Sequence, residues 1–192
     1  LYKLKPYVKP TAPFAWWEGA FSDEELNFLQ EQAMRATSKA EVGGDGRQTV
    51  NDEIRRSTVS WLYDNPENNW VYERLSNIVS SLNADYFNFD LEGIESLQLT
   101  NYDEKDKGTY GWHQDFGETA PGRKLSLSLQ LSDPNAYDGG DLQLKYGANP
   151  ETMVKKRGHI VVFPAWALHQ VTPVTRGNRQ SLVAWVHGEP FK

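Results

Sequence analysis

The stretch Lys124-Leu125-Ser126-Leu127-Ser128-Leu129-Gln130-Leu131 alternates apolar and polar residues without a break. A period of two marks a β-strand with one face in a core. Leu125, Leu127, Leu129 and Leu131 form one face, and Ser126, Ser128 and Gln130 form the other. The polar face reads as either a solvated surface or the wall of a site. Further short strand-like runs follow Ile94: Glu95–Thr100, Asp141–Lys145, His159–Phe163, His169–Pro173 and Ser181–His187. Turn formers separate them, including Pro121-Gly122, Asp138-Gly139-Gly140, Arg157-Gly158 and Arg176-Gly177-Asn178. Closely spaced strands punctuated in this way predict a mainly β sandwich or barrel.

Toward the N-terminus the pattern changes. Ser22-Asp23-Glu24-Glu25 predicts a helix start with a capping box, preceded by Phe21 as a staple and followed by Leu26, Leu29 and Ala33 at helical spacing. A second helix is predicted over 67–84, where Trp70, Leu75, Ile78, Val79 and Leu82 mark one face and Asp64-Asn65-Pro66 makes a turn-like entry. Ser57 to Tyr63 reads as a strand, and Gly43-Gly44-Asp45-Gly46 as a loop. Helices confined to the N-terminal half argue against an alternating α/β sheet. The expected plan is one domain over 1–192, with residues 1–90 as a helical and β elaboration supporting a β core over 91–192.

Composition narrows the function. The chain has 192 residues, enough to bury a core without covalent staples, and no cysteine. Disulfides, thiolate metal sites and cysteine nucleophiles are therefore excluded. Twenty Lys and Arg against 26 Asp and Glu give a net charge of −6, which disfavours a surface that tracks nucleic-acid phosphates. No apolar run approaches the roughly 18 residues that span a bilayer. The start, Leu1 to Pro6, lacks the apolar stretch of a secretory signal. Absence of cysteine fits a reducing compartment, and the expected location is cytoplasmic.

Four histidines are present: His113, His159, His169 and His187. In Tyr110-Gly111-Trp112-His113-Gln114-Asp115 an imidazole and a carboxylate lie two residues apart, on one face if the segment is extended. Alone, such a triplet also describes a surface His beside a turn Asp. His169, in the strand-like run Trp166 to Val171, is the best third ligand. Two imidazoles and one carboxylate leave several octahedral positions open, which suits non-haem Fe(II); Zn(II) accepts the same donors in a tetrahedral site. Arg179 follows ten residues after His169, and as a strand Arg179, Ser181, Val183 and Trp185 share one face. An inward guanidinium among apolar neighbours needs an anion, and its fork matches a carboxylate, with Ser181 as a further donor.

Together these blocks resemble the 2-oxoglutarate- and Fe(II)-dependent oxygenases, in particular the prolyl-4-hydroxylase-like branch with its bacterial and phage hydroxylases. The resemblance rests on Tyr110 to Asp115, Leu125 to Pro134, Tyr137-Asp-Gly-Gly-Asp141-Leu142 and His169 to Arg179, and runs from about Leu97 to the end. It implies a double-stranded β-helix (jelly roll) with N-terminal supporting helices. It further implies that His113, Asp115 and His169 hold iron and that Arg179 binds the distal carboxylate of 2-oxoglutarate. Tyr102 matches a tyrosine that hydrogen-bonds the cosubstrate, and Gln130 falls where relatives place another polar contact, often a tyrosine. Tyr110 and Trp185 match positions near the cavity and are candidates for the substrate wall. For Trp17, Trp112 and Trp166 core or rim packing is the simpler reading. Arg55 and Arg56 are open between a structural role and the lining of a substrate groove. The implied cofactors are Fe(II), 2-oxoglutarate and O2, with ascorbate as a reductant.

The implied reaction is hydroxylation of a C–H bond with release of succinate and CO2, most simply on a prolyl residue of a peptide or protein. Loops expected over 40–51 and 116–123 are candidates to cover such a peptide. A free amino acid or other metabolite is the alternative substrate, and the metal and cosubstrate residues do not discriminate between the two. A nucleic-acid demethylase is disfavoured by the acidic balance. A non-enzymatic jelly-roll binding module, or a zinc site, leaves Arg179 without an anion to meet. The oxidised carbon and the oligomeric state stay open at this level.

Overall fold

A computed structural model describes residues 11–36, 38–44, 47–118 and 120–189. The reading of Leu1 to Pro6 lies outside those residues. Two antiparallel sheets carry the fold. The larger runs, from one edge, through Ala15–Trp17, Ile160–Pro164, Arg123–Gln130, Val174–His187, Leu97–Asp103, Thr58–Leu62 and Ser38–Lys39. The smaller runs through Glu151–Thr152, Leu142–Lys145, Leu168–Val171, Thr109–His113 and Arg55–Arg56.

The alternation of residues 124–131 divides two buried layers. Leu125, Leu127, Leu129 and Leu131 join Leu182, Ala184 and the helices in one apolar cluster. Helix α1 (Asp23–Met34) contributes Leu26, Leu29 and Ala33, and α2 (Asn69–Leu82) contributes Val71, Leu75, Ile78, Val79 and Leu82. On the other side, Ser126, Ser128 and Gln130 are buried too. That face meets no solvent: it looks into the interior, where Val161 and Phe163 of the larger sheet pack with Leu144 of the smaller. The polar residues there line the interior between the two sheets.

Local signals explain the element ends. The α1 capping box forms: Glu25 N–H donates to Ser22 Oγ at 3.3 Å, and Ser22 N–H donates to Glu25 Oε2 at 2.9 Å. Phe21 packs edge-on against Trp70 of α2, 6.2 Å between ring centres, joining the two helices. Asn65 prepares α2 by accepting Glu67 N–H and Asn68 N–H on its side-chain oxygen. That helix closes through a π turn, Asn83–Phe87, and stops at Asn88 in the left-handed region, φ 57°.

Two expectations change. The stretch expected as a loop over 40–51 holds two short strands, Val42–Gly44 and Arg47–Thr49, whose backbones pair antiparallel with each other; Asp45 and Gly46 lie outside the described residues. The last strand extends over Val174–His187, well beyond the expected Ser181 start. Its polar first half has no apolar alternation to reveal it, yet pairs with Tyr137–Gly139 on one side and Leu97–Asp103 on the other. Gly139 permits the turn that enters this arrangement: φ is +71°, and a Cβ there would stand 2.0 Å from Pro173 O.

Candidate functional site

The strands Thr109–His113 and Leu168–Val171 pair with His113 opposite His169, so both imidazoles project from one side of the smaller sheet. Asp115 lies just past the end of its strand. Its N–H donates to Ala165 O at 2.9 Å, and Phe116 N–H donates to the same oxygen at 3.1 Å. This hook, rather than continued strand alternation, turns Asp115 back toward the two imidazoles. His169 Nε2 is 3.4 Å from Asp115 Oδ2, and His113 Nε2 is 3.8 Å from Asp115 Oδ1. All three potential ligand atoms lie within 4.8 Å of one another.

Each imidazole is orientated by its other nitrogen. His113 Nδ1–H donates to Gly111 O at 2.7 Å and His169 Nδ1–H to Ala167 O at 2.9 Å, which leaves both Nε2 lone pairs for an ion. Ser126 Oγ donates to Asp115 Oδ2 at 2.7 Å. Tyr110 stacks on His113 with ring centres 3.4 Å apart, and Phe163 meets His169 edge-on at 4.8 Å. Burial, reinforced by the nearby charge of His169, pushes the His113 imidazole down to about 3. Burial favours a protonated Asp115, but the two histidines and the Ser126 hydrogen bond reverse this and hold its carboxyl well below the usual range. Burial opposes charge on His169 as well, yet the Asp115 carboxylate raises it above its ordinary value. Burial pushes the Tyr110 phenol up to about 12, so it stays neutral. Two neutral-capable imidazoles and one ionised carboxylate, all on one side, fit a divalent transition metal with open positions.

Arg179 sits opposite Tyr102 in the larger sheet, with its guanidinium 5.4 Å from the Tyr102 ring centre. It is 2% exposed, donates to Ser181 Oγ at 3.3 Å, and meets no carboxylate within ion-pair distance among the described residues. Arg179, Ser181 and Tyr102 line one cavity together with the His–Asp–His group. A buried cation and a group of potential metal ligands lining one cavity are together able to receive a dicarboxylate that would chelate the ion at one end. Gln130 is placed differently from the other cosubstrate candidates. Its amide donates to Tyr137 OH at 2.8 Å, and it lines a small adjoining cavity that shares Arg179.

The cavity shared by Arg179 and the His–Asp–His group adjoins a groove of about 730 Å³ that reaches Lys39, Trp61, Trp112 and Glu118. Tyr110 and Trp185 line both. Arg55 and Gln98 also line both, and Gln98 did not stand out in the sequence, where it is one polar residue between Leu97 and Leu99. The two open arginines separate: Arg55 lines the cavity and the groove, whereas Arg56 donates to the backbone carbonyls of Lys107 and Asp52. His159 meets Glu18 at 3.1 Å and His187 contacts Glu95, and neither belongs to the ligand group. Trp166 packs beside Phe89, and Trp16 stacks on His159.

Residues 97–187 match the profile of the 2OG-Fe(II) oxygenase superfamily. The chain belongs to that superfamily. Within it, the PKHD-type hydroxylase YbiX of Escherichia coli is 32% identical over 177 residues, covering 88% of this chain and 75% of the relative. A PKHD-type hydroxylase of Teredinibacter turnerae is 38% identical over 85 residues, a match that spans only 38% of that relative's length. Among solved structures, a Pseudomonas putida prolyl-4-hydroxylase superposes with a TM-score of 0.73 at 18% identity, covering 91% of this chain and 92% of the other. A Trichoplax adhaerens prolyl hydroxylase bound to a peptide fragment gives 0.77 at 14% identity, covering 92% and 84%. At these identities the two structures show a shared fold.

Proposed function

We propose that this chain is an Fe(II)- and 2-oxoglutarate-dependent dioxygenase that hydroxylates a C–H bond, with a prolyl residue of a peptide or protein as its target. One observation carries the reading: a His–Asp–His group and a buried, carboxylate-free arginine line the same cavity. When bound, iron and oxoglutarate supply O2 activation and the two-electron oxidation, leaving succinate and CO2. The chain's own work is binding, orientation and exclusion of water. His113, Asp115 and His169 hold the ion, with Gly111 O and Ala167 O fixing the imidazole tautomers. Arg179 grips the distal carboxylate, assisted by Ser181 and Tyr102. Gln130 acts from behind through Tyr137. Tyr110 and Trp185 form the substrate wall, and Phe163 keeps the His169 side dry.

The open groove of about 730 Å³ favours a peptide over a metabolite, since a small substrate is normally enclosed. Residues 91–192 act as the catalytic core, and residues 1–90 support it and add Arg55, Lys39 and Trp61 to the cavity and groove linings. Ascorbate serves as reductant in a cytoplasmic setting. No helix among the described residues is long and apolar enough to cross a membrane. The test is mass spectrometry for a gain of one oxygen atom, run across prolyl peptides and free amino acids with Fe(II) and oxoglutarate. The reading expects product on a peptide, with succinate in equal amount. Oxidation of free amino acids alone would move the function to the metabolite alternative.

A further inference from the structure

Three hydrogen-bond donors without a protein acceptor among the described residues line the place where the cosubstrate cavity meets the groove, and one of them, Trp185 Nε1, is buried as well. Arg55 is 6% exposed. Its Nε donates to Ser57 Oγ at 2.9 Å and its Nη2 to Gln98 Oε1 at 2.8 Å, while the guanidinium lies 4.6 Å from the Tyr110 ring centre. Both hydrogen-bond partners are neutral, and Nη1 has none among the described residues. Gln98 must turn its oxygen toward Arg55, because guanidinium only donates; its amide NH2 then faces elsewhere, also without a partner. Trp185 Nε1 is the one buried side-chain polar atom among the described residues that lacks any hydrogen bond. All three side chains line both the cavity and the groove.

The other cations bordering the groove are neutralised. Lys39 pairs with Asp52 at 2.7 Å, and Arg123 with Glu95 at 2.7 Å. Arg55 is the exception. Its Nη1 edge reaches the groove without a protein acceptor and without a neutralising carboxylate, which is a place an anion can take. Arg179 lines the cosubstrate cavity but is absent from the groove lining, whereas Arg55 reaches into both. The anion for Arg55 therefore comes from the groove side.

We infer that the substrate carries a carboxylate, received by Arg55, Gln98 and Trp185 beside the metal group. This deepens the proposed oxygenase function and rests on it for the identity of the ligand as substrate. A planar monoanion suits a guanidinium edge flanked by an amide and an indole N–H. A more highly charged group would face Asp115, Glu41 and Glu118, which also line the groove. Two sources supply the same chemistry: an acidic side chain near the target residue, or the free carboxyl of a chain end or amino acid.

The direct test needs no turnover. The protein is loaded with Zn(II) and saturating oxoglutarate, and acetate or acetamide is titrated while the Trp185 indole N–H resonance is followed, assigned by Trp185→Phe. The expected result is a saturable shift with acetate, none with acetamide, loss in Arg55→Gln and weakened retention in Arg55→Lys. No acetate response, an equal response to acetamide, or an unaltered response in Arg55→Gln overturns the inference. So does a loss of oxoglutarate affinity in Arg55→Gln matching that of the acetate response, which would make the trio part of the cosubstrate site.

A second arm separates the sources. Peptides of one sequence around a single proline carry Glu or Gln beside it and end in a free or amidated carboxyl. One carboxylate–amide pair should differ by about tenfold or more in affinity, and Arg55→Gln should level that pair. Equal affinities within both pairs overturn the inference even if Arg55→Gln fails to fold. A saturable acetate response in a protein that oxidises no prolyl peptide supports the carboxylate site and counts against the prolyl target.

Discussion

Replacing Ser126 by Ala tests whether the strand face behind the metal group orders its ligands. Ser126 is 1% exposed, and its hydroxyl donates to Asp115 Oδ2 at 2.7 Å. The substitution removes that donor without introducing a polar orphan, since the carboxylate keeps its contacts with His169 and His113. A hydrogen bond to a charged group contributes about 1.5–3 kcal/mol. At about 1.4 kcal/mol per tenfold, this corresponds to a loss of roughly 10- to 100-fold in metal affinity, the range found for groups that position metal ligands. Anaerobic competition of Fe(II) against a chromophoric chelator measures it in both proteins. The apo variant should keep its thermal transition within a few degrees, because a single serine-to-alanine change in a packed face alters little else. An iron affinity within twofold of the parent would refute the assigned role of Ser126.

Other outcomes follow from the same geometry. His169 is raised above 6.5 and His113 is lowered to about 3. The His169 contribution to apo stability is complete below 6.5 and fades as pH rises through its folded value, whereas His113 costs stability as pH falls from 6.5 toward 3. Together they place a stability maximum near pH 6.5 in the apo protein, read from melting temperatures against pH; the maximum should flatten in His169→Gln, and an unchanged profile would contradict the pairing. Metal binding has the opposite sign, since it needs both imidazoles neutral, so iron affinity should rise with pH through the His169 titration. Ser22→Ala removes the α1 cap and should cost about 1 kcal/mol in urea unfolding, with no change in metal affinity.

Much of this molecule is written in local pattern. The leucines of 125–131 alternate because one strand face packs on helices, and that period survives in any sequence reading. The His-x-Asp, His and Arg-x-Ser blocks are equally visible, because each ligand needs a particular side chain at a particular spacing. What escaped or stayed open has a different origin. Gln98 is one polar residue between two leucines, and Arg55 stayed open beside Arg56 because its strand of two residues is too short for any periodicity. The first half of Val174–His187 is polar on both faces because backbone pairing, not apolar packing, holds it. Ser126 was ambiguous because its partner, Asp115, is reached across the interior and is turned inward only by the hook to Ala165. Such contacts depend on the three-dimensional approach of distant segments, which no local window contains.

The central claim is that one ion and one dicarboxylate share the cavity, held by different side chains. Anaerobic equilibrium dialysis with Fe(II) and labelled oxoglutarate measures it most directly. The account predicts one of each retained per chain, iron lost in His169→Ala, and iron kept but oxoglutarate weakened in Arg179→Ala. Undiminished iron retention by the first variant, or undiminished oxoglutarate retention by the second, would contradict it.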